Sequence, residues 1–126
     1  VRYYRRFCVH GRSLSYLTSS VLLRSAHKDE PQHAGALVLD EVWTHRSARG
    51  QGYATALLKM AQEEARRLRR AVLCRPHAHD AGMRQGALEQ WYERLGWRPA
   101  YAALEWGWYL WQPEEREAYG DEALSA

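Results

Sequence analysis

Residues 49–54 read Arg-Gly-Gln-Gly-Tyr-Ala, two glycines and a cation directly ahead of an amphipathic stretch. A glycine-rich turn that opens a helix presents backbone N–H groups at the helix's positive end, and such a cradle binds phosphate. Gly50 and Gly52 let the backbone approach an anion without a Cβ in the way, Ala54 stays small for the same reason, and Arg49 adds a charge. Two commoner phosphate loops fit poorly. A Walker loop needs Lys followed by Ser or Thr at the helix start, where Tyr53 and Ala54 stand. A dinucleotide fingerprint needs a small residue where Thr55 stands and an acid closing the next strand, which residues 71–74 do not offer.

Other residues able to do chemistry are weighed by their settings. Asp40 and Glu41 interrupt the apolar run 36–44, and a carboxylate inside such a run must reach a cleft or a cation to offset its desolvation. His77, His79 and Asp80 have metal-ligand types, but no second cluster completes a tetrahedral set, so no metal is expected. His45, beside the glycine turn, reads as a surface residue near the phosphate. Cys8 and Cys74 lack CxxC spacing, which argues against a disulfide framework or a zinc knuckle and suits a reducing cytoplasm. Cys74 follows Val72 and Leu73 and reads as buried filler rather than a nucleophile.

These residues need elements to hold them. Over 53–70 the spacing of Leu57, Leu58, Ala61, Ala65 and Leu68 predicts an amphipathic helix whose arginine-rich end is a solvated face. The run 36–44 predicts a central strand buried on both faces. Strands are expected at 6–10 and 15–24, with a solvated loop over 25–35 and a short strand at 71–74. A polar connection at 75–84 leads to a second helix over 85–95, packing Leu88, Trp91, Tyr92 and Leu95 and stopped by Gly96. The tail 101–112 reads as a closing hairpin or strand pair, and the acidic residues after Pro113 as leaving the sheet and fraying. The order predicts an α+β fold: one domain over 1–126, with a mixed, mainly antiparallel sheet and flanking helices.

Composition narrows the partners. The 18 Lys and Arg against 15 Asp and Glu leave a net charge of +3, no general signature for polyanions, so nucleic acid is not an expected partner. No apolar run is long enough to span a bilayer and no signal-peptide core follows the N-terminal arginines, so a soluble cytoplasmic protein without membrane partners is expected. A homodimer is left open.

The turn at Arg49, Gly52 and Ala54 matches Arg/Gln-x-x-Gly-x-Gly/Ala, and with Val42-Trp43-Thr44 before it the segment resembles the GNAT superfamily of N-acetyltransferases. The later Trp91-Tyr92-Glu93-Arg94-Leu95-Gly96-Trp97 is similar to that family's Tyr-x-x-x-Gly-Phe signature. The resemblance covers about half of the chain, roughly 37–97. Arg46 stands where a Pro is usual, an Asn common before the second helix is absent, and Trp97 replaces Phe. The resemblance implies acetyl-CoA as acyl donor. Val42, Trp43 and Thr44 would line its pantetheine arm, and Arg49, Gly50, Gln51, Gly52, Tyr53, Ala54 and Thr55 would hold its pyrophosphate. Tyr92 would sit near the thioester sulfur as general acid.

An attacking amine must be neutral, so such a site also needs a base or water path, for which Asp40 and Glu41 are the candidates, Glu41 preferred. The expected activity is transfer of an acetyl group to a primary amine, on a small molecule or peptide, by direct attack in a ternary complex. A non-catalytic acyl-CoA-binding or regulatory domain is the runner-up, and a small RNA-binding protein comes third.

Overall fold

The computed structural model describes residues 2–10, 17–33, 35–77, 83–100 and 107–113. Six strands form one sheet in the order β1-β2-β3-β4-β6-β5. They are β1 (Tyr4–His10), β2 (Leu17–Ser25), β3 (Leu37–Thr44), β4 (Val72–Cys74), β5 (Arg98–Pro99) and β6 (Tyr109–Trp111). Two helices, α1 (Tyr53–Leu68) and α2 (Gln85–Arg94), complete the described elements, with a 3-10 turn at Arg46–Ala48. Among the described strands only the β3/β4 pair is parallel, and α1 supplies the crossover that parallel neighbours need. The expected mixed, mainly antiparallel α+β sheet with flanking helices is what the chain forms.

Alternation of side chains sorts the sheet into two faces. Phe7, Val21, Leu23, Leu37, Leu39, Val72, Cys74, Tyr109 and Trp111 share one core with Leu57, Leu58, Ala61 and Ala65 of α1 and Leu88 and Tyr92 of α2. Val38 and Leu73 point the other way and cluster with Ala36 and Trp108. β3 is therefore buried on both faces only over its first three residues. From Asp40 onward it is half-buried or exposed, because β4 ends at Cys74 opposite Leu39 and leaves the rest of β3 paired on the β2 side alone.

The register between β2 and β3 slips where that freedom begins. Leu22 pairs with Asp40 and Ser20 with Trp43, so Glu41 and Val42 together oppose Val21 in a β-bulge. Glu41 takes φ +49°, the left-handed region that side-chain-bearing residues avoid.

α2 ends as its sequence dictates. Leu95 caps α2 and Gly96 follows at φ +95°; the Gly96 N–H bonds to the Glu93 carbonyl and the Trp97 N–H to that of Tyr92. This paired closure of the last turn is the reason for a glycine there. α1 ends two residues earlier than expected, at Leu68, with Arg69 left-handed at φ +56°. Its arginine-rich end is not simply solvated. The Arg66 guanidinium lies 5.3 Å from the Trp111 ring centre and pairs with Glu63. The Nε of Arg70 donates to the Gly35 carbonyl at 2.6 Å. Glu64, buried, accepts bonds from Tyr3, Arg5 and Arg67 at 2.8–2.9 Å and clamps edge strand β1 to α1.

Of the strand pair expected over 101–112 only β6 is described; its antiparallel partner β5 lies earlier, at Arg98–Pro99, and 101–106, like the tail beyond 113, lies outside the described residues.

Candidate active site

The turn between β3 and α1 is assembled from local devices. His45 caps the 3-10 turn, its Nδ1 accepting the Ser47 N–H at 3.1 Å, so it serves the backbone rather than standing as a loose surface residue. The Nε of Arg49 donates to the Thr44 carbonyl at 3.3 Å, which holds the side chain against the end of β3. Gly50 and Gly52 take φ of +80° and +83°. A Cβ on either would meet no protein atom within 4 Å, so backbone angle demands the glycines while the space beside them belongs to a groove. Gly52 caps α1 without a side chain, and the first helical bond is from the Ala56 N–H to its carbonyl. The N–H groups of Tyr53, Ala54 and Thr55 thus lie ahead of the helical ladder as donors.

The groove encloses about 430 Å³, within the range of ligand sites. Val42, Trp43 and Thr44 form its β3 wall, the turn residues Arg49, Gly50, Gly52, Tyr53, Ala54 and Thr55 its end, and Met83, Leu88 and Trp91 its far side. Nine of the ten residues expected to hold the donor line it; Gln51 does not. Trp91 Nε1 donates to Thr55 Oγ1 at 3.1 Å and ties α2 to the start of α1.

A second cavity of about 40 Å³ opens where β3 and β4 part, and Val42 and Leu88 line both spaces. Asp40, Glu41, Cys74, Arg75, His77 and Tyr92 surround it. The expected acid and both expected carboxylates are therefore brought together. Each arrives with a partner. Asp40 pairs with Arg24 at 3.1 Å and Glu41 with Arg6 at 3.3 Å. Tyr92 is 2% exposed, packed edge-on against Trp91 and Trp97, and its hydroxyl hydrogen-bonds the Cys74 thiol. Burial pushes the Tyr92 hydroxyl well above its usual pKa and the Cys74 thiol up to about 12. Both protons are thereby held at neutral pH.

Tyr92 faces the carboxylate cavity rather than the glycine turn; its neighbour Trp91 is the residue that reaches the turn. Sequence reasoning had both on the packing face of α2 and singled out only Tyr92. It also missed Leu88 as a wall of both spaces and the arginines that hold the carboxylates, for which no local signal exists. The residues His79 and Asp80 of the His77 cluster lie outside the described set. Among the described residues, no group of three or more His, Cys, Asp and Glu is placed to hold a metal. No described helix is long and apolar enough to cross a membrane.

Comparison with known structures finds the same fold in other proteins. The anti-CRISPR protein AcrVA5 superposes with a TM-score of 0.61 at 16% identity, covering 86% of this chain and 98% of its own. A protein from Agrobacterium tumefaciens assigned as an acetyltransferase superposes at 0.59 with 21% identity, covering 88% of this chain and 75% of its own. A search of curated proteins finds no match. The family described as the acetyltransferase (GNAT) domain matches residues 20–99, a span holding β3, the glycine turn, both helices and the carboxylate cavity. With more than half of its length matched, the chain belongs to the GNAT acetyltransferase family.

Proposed function

We propose that this acetyltransferase-family chain moves the acetyl group of acetyl-CoA to a primary amine by direct attack in a ternary complex. The observation that carries the reading is the adjacency of the two spaces, which share Val42 and Leu88 as lining residues. One end offers uncapped helix N–H groups and Arg49 to a pyrophosphate; the other gathers Tyr92, Asp40 and Glu41. The residues fit the donor, since Gly50 and Gly52 leave open the space a Cβ would enter. Bound there, acetyl-CoA supplies an activated thioester carbonyl.

The chain's own groups divide the remaining work. Tyr92 keeps its proton at neutral pH and is the candidate to donate it to the leaving thiolate. Glu41, with Asp40 beside it, attracts a cationic amine and leads its proton away, directly or through water. Cys74 supports direct attack over a covalent acyl-enzyme, because a thiol titrating near 12 supplies almost no thiolate nucleophile at neutral pH. Two free cysteines suit a reducing compartment, which we take to be the cytoplasm.

A second reading, an acyl-CoA-binding domain without turnover, is favoured by one fact: both carboxylates are already engaged by arginines. Thiol release over an amine panel, with mass detection of the product, separates the two.

The donor site is tested first. Acetyl-CoA should raise the melting temperature by mass action, and Gly52→Asp should abolish the shift by setting a side chain and a negative charge against the pyrophosphate. A Gly52→Asp protein with full affinity for CoA would remove the turn from the site.

A further inference from the structure

The strained bulge at Glu41 stands between the two cavities, since Asp40 and Glu41 line one and Val42 lines both. A left-handed glutamate persists only where its surroundings over-determine it, and the contacts that do so can be followed outward. The Glu41 N–H donates to Asp40 Oδ1 at 2.8 Å. The other oxygen, Oδ2, accepts from Arg24 Nε and Nη2 at 3.2 and 3.1 Å. Arg24 is 8% exposed, and its Nη1 and Nη2 donate to the two oxygens of Glu30 at 2.7 and 2.8 Å. Glu30 in turn accepts the His27 N–H at 2.7 Å. None of these groups lines the donor groove, which the bulge reaches through Val42.

We infer that Glu30 and Arg24 are positioning residues for acetyl transfer: through Asp40 they lock the left-handed bulge that sets Glu41 and Val42 against the reacting groups. The geometry divides the two carboxylates, between which the sequence only prefers Glu41. Asp40 has one oxygen on a backbone N–H and the other on Arg24, so it orders the site. Glu41 is 56% exposed at its side chain and held by a single contact from Arg6 at 3.3 Å, so it is the carboxylate presented to the acceptor. Arg6 is itself anchored, its Nη1 donating to Ser20 Oγ at 2.7 Å, which sets the direction from which Glu41 is drawn. The Arg24 pair with Glu30 is the firm link, because the Arg24 hydrogen bonds hold the Glu30 carboxyl down at about 2. It therefore stays ionised throughout the neutral range.

This inference rests on the acetyl-transfer reading, and its experiment has one arm that needs no substrate. Backbone amide exchange is measured in the wild type, Glu30→Gln, Glu30→Asp and Asp40→Asn. Glu30→Gln and Asp40→Asn should speed exchange of the Glu41 amide at least tenfold while Leu37, Val38 and Leu39 keep wild-type rates, with Glu30→Asp in between. In the second arm, with the best amine from the panel, Glu30→Gln should lower kcat at least fivefold while the Kd for acetyl-CoA stays within twofold. Unchanged Glu41 exchange, or an equal rise along the whole of β3, would overturn the lock and leave Glu30 an ordinary stabilising residue. A local change at Glu41 in a protein that transfers no acetyl group would instead overturn the transfer reading and leave the lock standing.

Discussion

Tyr92 is both a core aromatic and the candidate acid, and its packing and its chemistry can be separated by removing one atom. Tyr92→Phe keeps the ring against Trp91 and Trp97 and loses only the bond to Cys74. Stability should fall by about 0.5–1.5 kcal/mol, the worth of one hydrogen bond. If the hydroxyl supplies the proton, kcat should fall by roughly ten- to a thousandfold with the Kd for acetyl-CoA nearly unchanged. Paired kcat and melting measurements on the same protein decide, and wild-type turnover would end the acid role. The sequence identified Tyr92 but could not fix its outlook, because successive helical residues point about 100° apart and an apolar face containing both Trp91 and Tyr92 does not reveal the helix's roll. The arginines behind Asp40 and Glu41 were illegible for a different reason: they lie 16 and 35 positions away in the chain, on strands whose pairing a bulge has shifted.

At the scale of elements, the helices and the glycine turn were legible because their determinants are local: a 3.6-residue apolar stripe, Gly52 at the start of α1, Gly96 past the end of α2. β3 was read correctly in place and wrongly in burial, since nothing within 36–44 says that its parallel partner stops after three residues. The Glu64 clamp is another long-range feature, and it has a pH signature. The Arg67 hydrogen bonds, with those from Tyr3 and Arg5, lower the Glu64 carboxyl from 4.5 to about 2. A depressed carboxyl stabilises the fold above its unfolded value and loses that contribution as pH falls through the folded one. Glu64→Gln should therefore be less stable than the wild type at neutral pH, with the two converging as pH drops from 4.5 to about 2. Denaturant midpoints measured across that window check it, and a constant gap at every pH would show that the clamp acts by shape rather than charge.

For the whole molecule, the order of pairing along the chain bears on how the protein comes together in time. β1, β2 and β3 are sequential and antiparallel and need only short connections, whereas β3 meets β4 only after the entire stretch through the glycine turn and α1 has been placed. Non-local parallel pairing carries its loop-closure cost before it is rewarded, so it belongs late on the folding route. The carboxylate cavity lies at this junction, lined by Leu39 and Cys74, so the proposed acetyl-transfer site is expected to assemble late and open early. Val72→Ala, at the β3/β4 register, should accordingly speed unfolding while leaving the refolding rate nearly untouched, whereas Val21→Ala, between β1 and β3, should slow refolding. Stopped-flow chevrons of the two variants test this order, and a refolding defect confined to Val72→Ala would reverse it. If the proposed donor, acetyl-CoA, occupies the groove, a late-closing junction makes it chiefly a brake on unfolding. On that reading, the protein's lifetime would be tied to the supply of its acyl donor.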